Sequence, residues 1–257
     1  MTTYFQFLGR FYISNSLKDF SVDGTALSLT TGYYYINQYS GEVENQLCEH
    51  MQEVIRAGTA FAGATVTYSG TTGFVTINIG STVDVVFTDT DLAALMGFSA
   101  TTQSGASSYT GDQFPQHTWR PSIAASDFHA ESSNFWAGRS TTRINRSANG
   151  TTYSVMGNLI YDGFVSFDIL PKADVIVPIT GTIHQDFTTW WISVIHEGQP
   201  FRVFSDRTLN LATSFKTGVF GDDGTSIVGS IDDLIARYTS EYNGQWSVNI
   251  PIMEYNV

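Results

Sequence analysis

The feature that most constrains the fold is a pair of alternating stretches joined by a short loop that contains glycine. Residues 64–68 and 74–79 alternate polar and apolar side chains, and residues 69–73 lie between them. Alternation is typical of a strand with one buried face, because successive side chains of a strand point to opposite faces. The sequence therefore predicts a β-hairpin over 64–79 and, with it, an antiparallel sheet.

A helix is predicted over 41–57, just before this hairpin. Ser40 lies at the N-cap position, and Glu42 and Glu44 fall in the first turn, where the helix dipole favours carboxylates. Apolar residues recur at helical spacing, namely Val43, Leu47, Met51, Val54 and Ile55. The helix should therefore cover one face of the sheet.

The rest of the first part of the chain has strand patterns and a second, shorter helix. The strand patterns lie at residues 4–13, 33–36 and 83–87, the last of which should continue the sheet of the hairpin. Thr88 and Asp91 have the spacing of a capping box, and Gly97 is expected to end the helix. Together these elements predict an α+β domain over 1–98.

The remainder is predicted to contain a connecting region and a second domain. Residues 99–152 are rich in Ser, Thr and Gly and should be extended, with 99–112 an exposed loop or linker. Residues 153–257 are expected to be β-rich, with a crossing helix over 184–196. Further strands are predicted at about 200–205 and 208–215 and near the C-terminus, and a short helix at 230–238. The predicted fold is therefore α+β and β-rich, with antiparallel sheets each covered by a few helices, in two domains.

The chain is poor in charge and rich in rings. Charged residues make up 14% and aromatic residues 14% of the sequence, whereas about 25% of residues are charged in ordinary soluble domains. A weakly charged surface with exposed rings is typical of one that meets other proteins. The net charge of −12 repels polyanions, so no nucleic-acid partner is expected.

No recognisable constellation of catalytic or metal-ligating residues appears. The five histidines lack zinc-ligand spacing, and Cys48 is the only cysteine. Neither a nucleophile elbow nor a phosphate-binding glycine loop is present. We therefore expect no enzymatic activity, cofactor or metal. One enzymatic alternative stays open, a small glycan hydrolase whose carboxylates would meet about 5–10 Å apart in a cleft.

Targeting signals are absent as well. No basic segment followed by an apolar one resembles a signal peptide, and no apolar window is long enough to span a bilayer. Neither secretion through a signal peptide nor a membrane span is expected.

The middle of the chain combines aromatic and basic residues with few acids. Residues 132–161 contain no carboxylate but include three arginines, which would either meet an acidic neighbour or form a solvated basic loop. Long polar stretches with few acids commonly become ordered against partners. The predicted partner contacts are Trp119, Arg120, Arg139, Arg143, Arg146 and, in the terminal strand, Trp246.

The second half carries a resemblance to a known class of proteins. A helix at 186–196 is followed by the sequence Gly-Gln-Pro-Phe-Arg-Val-Phe-Ser-Asp-Arg at 198–207 and a terminal strand at 246–255. The helix and hairpin within 33–98, ending in Leu-Met-Gly-Phe, add to it. In this arrangement the chain resembles virion structural proteins of tailed bacteriophages, of the tail-tip or baseplate ring type.

The resemblance implies an assembly role and no catalytic residue. The partners would be copies of the chain in a ring and neighbouring virion proteins, and the protein would reside in the virion after assembly in the host cytoplasm. The alternative is a neck or capsid-surface decoration protein that binds carbohydrate. In that case the rings of Tyr33, Tyr34 and Tyr35 and of Trp190 and Trp191 are candidates for stacking on sugars, although rings of this kind on a helix also suit a core on one side and an interface on the other.

Overall fold

The structure is a computed structural model of the 257-residue chain. It describes residues 5–36, 46–70, 72–121, 127–128, 137–140, 143–146, 152–155, 159–170, 187–197, 199, 201–205, 218–219 and 246–254. Within these residues the strands pair antiparallel into several sheets, accompanied by few helices. This confirms that the fold is β-rich with antiparallel sheets, whereas the covering of each sheet by a few helices stays a prediction. None of the helices in these ranges has the length and apolarity to cross a bilayer.

The N-terminal segment predicted as one strand over 4–13 is two strands in two different sheets. The first five strands are β1 (Phe5–Gly9), β2 (Phe11–Ile13), β3 (Asp19–Val22), β4 (Thr25–Ser28) and β5 (Gly32–Tyr34). The break follows Gly9, whose N–H donates to the His117 carbonyl at 2.7 Å. A Cβ at Gly9 would lie 2.9 Å from that carbonyl oxygen and would also contact Val194. The chain can therefore approach its neighbours this closely only at a glycine.

Strands β3 and β4 form a hairpin that the sequence analysis did not predict. Its turn is Asp23-Gly24, and both residues have positive φ, 51° and 73°. Two positive φ values are typical of the type I′ turn, whose twist matches that of the paired strands and for which Asp-Gly is a favoured sequence. The signal was therefore present in the sequence at this position.

The predicted hairpin of the first part is confirmed. The predicted helix is confirmed from residue 47 onward, but its extended N-cap is Gln46, so the predicted start at residue 41 with Ser40 as N-cap was wrong. Helix α1 (Leu47–Gly58) has Gln46 at its N-cap, and strands β6 (Thr65–Tyr68) and β7 (Val75–Asn78) pair antiparallel. Ser40, Glu42 and Glu44 lie outside the described residues. The buried face of α1 and the inner face of the hairpin share one hydrophobic core, which contains Leu47, Cys48, Met51, Ile55, Val66, Val75 and Ile77.

Residues 83–112 correct three predictions. The elements here are β8 (Val85–Phe87), α2 (Thr90–Leu95), β9 (Thr102–Gln103) and β10 (Ser108–Thr110). Strand β8 pairs with β3 and β9 and not with the hairpin. The N-cap of α2 is Asp89, whose carboxylate accepts the N–H of Asp91 at 2.7 Å, so the capping box starting at Thr88 was wrong.

The predicted loop over 99–112 is mostly exposed, as expected, but it contains two short strands and is therefore not a loop throughout. Strand β9 pairs with β8, and β10 pairs with β7. Tyr109 is buried and its hydroxyl donates to the Val83 carbonyl at 2.6 Å. The Tyr109 ring, together with the pairing of β9 and β10, therefore holds this stretch of otherwise small polar residues against the core.

The remaining elements form mainly one large sheet. They are β11 (Thr118–Trp119), β12 (Asp127–Phe128), β13 (Ala137–Ser140), β14 (Arg143–Arg146), β15 (Thr152–Val155), β16 (Leu159–Leu170), α3 (Phe187–Trp190), β17 (Phe201–Ser205), β18 (Gly218–Val219) and β19 (Trp246–Glu254). Helix α3 continues as a π-helix over Trp191–His196, which confirms the crossing helix within 187–196. The predicted strand at 208–215 and helix at 230–238 fall outside the described residues.

The large sheet joins the beginning of the chain to its end. Its order is β11-β1-β17-β18-β19-β16-β12, with β13 also paired to β16. Strands from all three predicted segments, 1–98, 99–152 and 153–257, thus lie in one sheet. The division into two domains stays a prediction.

Strand β1 contributes to two cores, one on each of its faces. Leu8 belongs to the core that α1 covers, and Phe7 points the other way into a set of buried rings. We call this set of six buried rings the aromatic cluster; its members are Phe7, Trp119, Phe167, Phe187, Trp190 and Phe201. Contacting pairs have centroids 4.9 to 6.4 Å apart. Offset and edge-to-face rings at such distances stabilise a core beyond the area they bury.

Candidate functional site

The structure places Trp119, a predicted partner contact, inside the aromatic cluster. Only 1% of its surface is exposed, so its side chain packs within the chain and offers no contact area in this conformation. Arg120, the next residue, is partly buried, and its Nη1 donates to the Thr72 carbonyl at 3.3 Å. In the isolated chain the Trp119 ring forms part of a core, and its role as a partner contact stays a prediction.

The other predicted contacts lie on strands. Arg139 pairs with Ile160 between β13 and β16, and Trp246 opens β19 opposite Leu170. Arg143 and Arg146 are the first and last residues of β14, which pairs with β15, so residues 143–146 form a strand and not a loop.

Of the rings considered for sugar stacking, Tyr34, Tyr35, Trp190 and Trp191 are buried, whereas Tyr33 is exposed. Tyr34 is 7% exposed and Trp190 is fully buried, so neither can stack on a sugar. Tyr12 on β2 and Tyr33 on β5 are 50% and 43% exposed and are the exposed large hydrophobic residues of the described part of the chain. They face each other across the two strands, with ring centroids 5.0 Å apart at 62°.

These two tyrosines stand at a cleft of about 410 Å³, which we call the tyrosine cleft. Its apolar lining is Phe11, Leu17 and Leu95, and its polar lining includes Arg10, Asp91, Gln116, His117, Ser193, Glu197 and Gln199. The Arg10 guanidinium lies over the Tyr33 ring, 4.4 Å from its centroid, and Arg10 Nε donates to Gln199 Oε1 at 3.3 Å. A cation held over a ring and by a hydrogen bond is fixed in place before any ligand arrives.

His117 forms one wall of the cleft in an unusual conformation. Its φ is +63°, which is uncommon for a residue with a side chain. The ring stacks on Phe11, with centroids 5.5 Å apart at 22°. Burial lowers the His117 pKa from its usual 6.5, and a hydrogen bond with the Ser193 backbone opposes this only in part. The imidazole is therefore neutral at pH 7, and the charged groups of this lining are Arg10, Asp91 and Glu197.

A second surface, on the outer side of the sheet β10-β7-β6, contains only uncharged polar side chains. Two rows cross its three strands: Ser108, Asn78 and Thr65, then Thr110, Thr76 and Thr67. All six are partly or fully exposed, and the Oγ1 atoms of Thr76 and Thr110 are 3.1 Å apart. The intervening row, Tyr109, Ile77 and Val66, is buried on the other side. We call this surface the threonine face.

The sequence raised two possible kinds of reactive group, the Cys48 thiol and a metal site made of His, Cys, Asp or Glu side chains. Cys48 is fully buried in α1, and burial raises the pKa of its thiol, so the thiol stays protonated at neutral pH. Among the residues that the structure describes, no three His, Cys, Asp or Glu side chains are grouped so that they could hold a metal ion.

Comparison with known proteins gives no match for this chain, whether the comparison is made with protein-family models, with curated proteins or with solved structures.

Proposed function

We propose that this chain is a structural subunit of a bacteriophage virion, a tail-tip or baseplate (distal tail) ring protein that mediates assembly. The virion setting follows from the sequence resemblance alone. The observation that supports an assembly role is the threonine face, a regular surface of six side chains without a charge. In this role the chain binds its neighbours and carries out no reaction.

The threonine face suits contact with another protein for a simple physical reason. Covering a charged group removes water that binds it strongly, and this cost is several kcal/mol per ion in real proteins. Hydroxyl and amide groups cost less, and each can both donate and accept a hydrogen bond across an interface. A standard interface buries about 800 Å² on each partner, so we expect the threonine face to be the centre of a larger contact.

The proposal is tested by the mass of the full-length chain in solution. Sedimentation velocity and native mass spectrometry should find a closed oligomer whose mass is a multiple of 28.3 kDa. Thr110→Lys places a charge on the edge strand β10 of the face, at an exposed position beside Thr76, and should raise the dissociation constant at least about tenfold, the effect of about 1.4 kcal/mol. Antibody labelling of intact virions then distinguishes a tail-tip position from the alternative neck or capsid surface.

Thr25→Lys is the matched control, because Thr25 is also an exposed strand threonine but lies on β4 in another sheet. It should leave the oligomer unchanged. A chain that stays at 28.3 kDa at every concentration and in the presence of its virion neighbours contradicts the proposal. So does a Thr110→Lys variant that assembles as well as the control.

A further inference from the structure

We infer that the tyrosine cleft is a binding site for a neutral oligosaccharide. It combines two exposed rings in edge-to-face contact, Tyr12 and Tyr33, with a lining of planar side chains that can form hydrogen bonds. The inference does not depend on the proposed assembly role, because the cleft and the threonine face are built from different strands.

The two tyrosines provide the apolar part of such a site. One side of a sugar ring presents C–H groups, and these pack on the negatively polarised face of an aromatic ring. Tyr12 and Tyr33 keep about half of their surface exposed, at 50% and 43%, although most large apolar side chains in the described part of the chain are buried. Their edge-to-face pairing on adjacent strands holds both rings in place, so little conformational entropy is lost when a ligand covers them.

The polar lining matches neighbouring hydroxyl groups. The side chains of Gln116, Gln199, Asp91 and Glu197 are planar and each presents two adjacent polar atoms. A pair of vicinal sugar hydroxyls can bind such a group with two hydrogen bonds, because a hydroxyl both donates and accepts. Arg10 adds further N–H donors on its Nη atoms, and its position is set by Tyr33 and Gln199.

Charge and size favour a neutral saccharide over other ligands. Two carboxylates and one guanidinium line the cleft, and the net charge of the chain is −12. This combination disfavours phosphates and other polyanions. The volume of about 410 Å³ lies at the lower end of the range for small-ligand sites, about 300–1,000 Å³, which suits one or two sugar rings better than a folded partner.

The test is saturation-transfer NMR on the full-length chain. The probes are maltotriose, xylotriose, galactobiose and triacetylchitotriose, each at millimolar concentration. At least one should receive saturation at its ring C–H protons. For that probe, Tyr12→Ala and Tyr33→Ala should each weaken binding about tenfold or more, whereas Tyr12→Phe, which keeps the ring, should stay within about threefold.

Two controls keep the result interpretable. Circular dichroism and urea unfolding of each tyrosine variant establish that the chain still folds, and Thr110→Lys should bind the saccharide as the unchanged chain does. Absence of transfer to all four probes overturns the inference. Transfer that persists at equal strength in the folded Tyr12→Ala and Tyr33→Ala variants also overturns it, because the saccharide would then be bound elsewhere.

Discussion

Replacing Trp119 by alanine should destabilise the isolated chain strongly. Trp119 is 1% exposed and contacts four other rings of the aromatic cluster: Phe7, Phe167, Phe187 and Trp190, at centroid distances of 4.9, 5.5, 4.9 and 5.9 Å. These rings come from β1, β16 and α3. Trp119→Ala therefore removes a ring that packs against both the first strand of the chain and its second half.

The size of the effect follows from the cavity that the substitution leaves. Removing a buried tryptophan side chain costs about 3–5 kcal/mol, because surrounding groups close such a cavity only in part. With a urea m-value of about 3 kcal/mol/M, at the upper end for small proteins since m grows with chain size, a loss of about 4 kcal/mol lowers the midpoint by about 1.3 M. Trp119→Phe keeps an aromatic ring in the cluster and should lose clearly less.

The assay is urea unfolding of the full-length chain, followed by far-UV circular dichroism. The indole fluorescence is unsuitable because the substitution removes one of five tryptophans. If Trp119 served mainly to contact a partner, Trp119→Ala would leave the midpoint within about 0.2 M, the shift expected for a surface change of about 0.5 kcal/mol. That result would refute the cluster as a core.

Two further predictions concern stability. Burial lowers the His50 pKa below 6.5, opposed by the Glu53 charge, and Nε2 accepts the Thr30 N–H at 2.9 Å. As the pH decreases, His50 therefore takes up a proton in the unfolded chain before it does so in the folded chain, and the urea midpoint should decrease below pH 6.5. His50→Gln, whose amide oxygen can accept that hydrogen bond, should remove part of this pH dependence. Gly24→Ala, at φ +73° with open space around it, should cost about 1–2 kcal/mol of unfolding free energy.

Each of these has its own check. An unchanged pH slope in His50→Gln would mean that His50 is not held neutral in the folded chain. For the turn, Gly63→Ala is the control, because its Cβ also meets open space and no positive φ is involved. Equal unfolding midpoints for the two alanine variants would contradict the strained-turn account.

Local patterns predicted those elements whose neighbours are close in sequence. The hairpin 64–79 follows from alternation and helix α1 from helical spacing. In both, the described apolar side chains that the pattern assigns to the inner face are buried or partly buried. The Asp23-Gly24 turn could have been predicted in the same way. The exposed ring of Tyr33 beside the buried ring of Tyr34 is different, since alternation says that they point apart but not which of them faces the core.

The candidate sites depend on contacts that no local pattern contains. Arg10 meets Gln199 across 189 residues, and the two rows of the threonine face need β10 to add to the hairpin from a stretch that looks like a loop. Trp119 lies between prolines and polar residues, so nothing nearby in the sequence indicates that its ring is buried.

By itself, the sequence determined the secondary structure type of much of the chain, its weakly charged surface and its wealth of rings, because these depend on residue identity and on spacing over a few residues. The tertiary structure decided that β1 pairs with β17, with Phe5 opposite Ser205, and thereby which rings form a core and which line a cleft. The reason is physical: a strand can pair with any suitable edge, and the edge that it meets depends on how all the buried faces pack together.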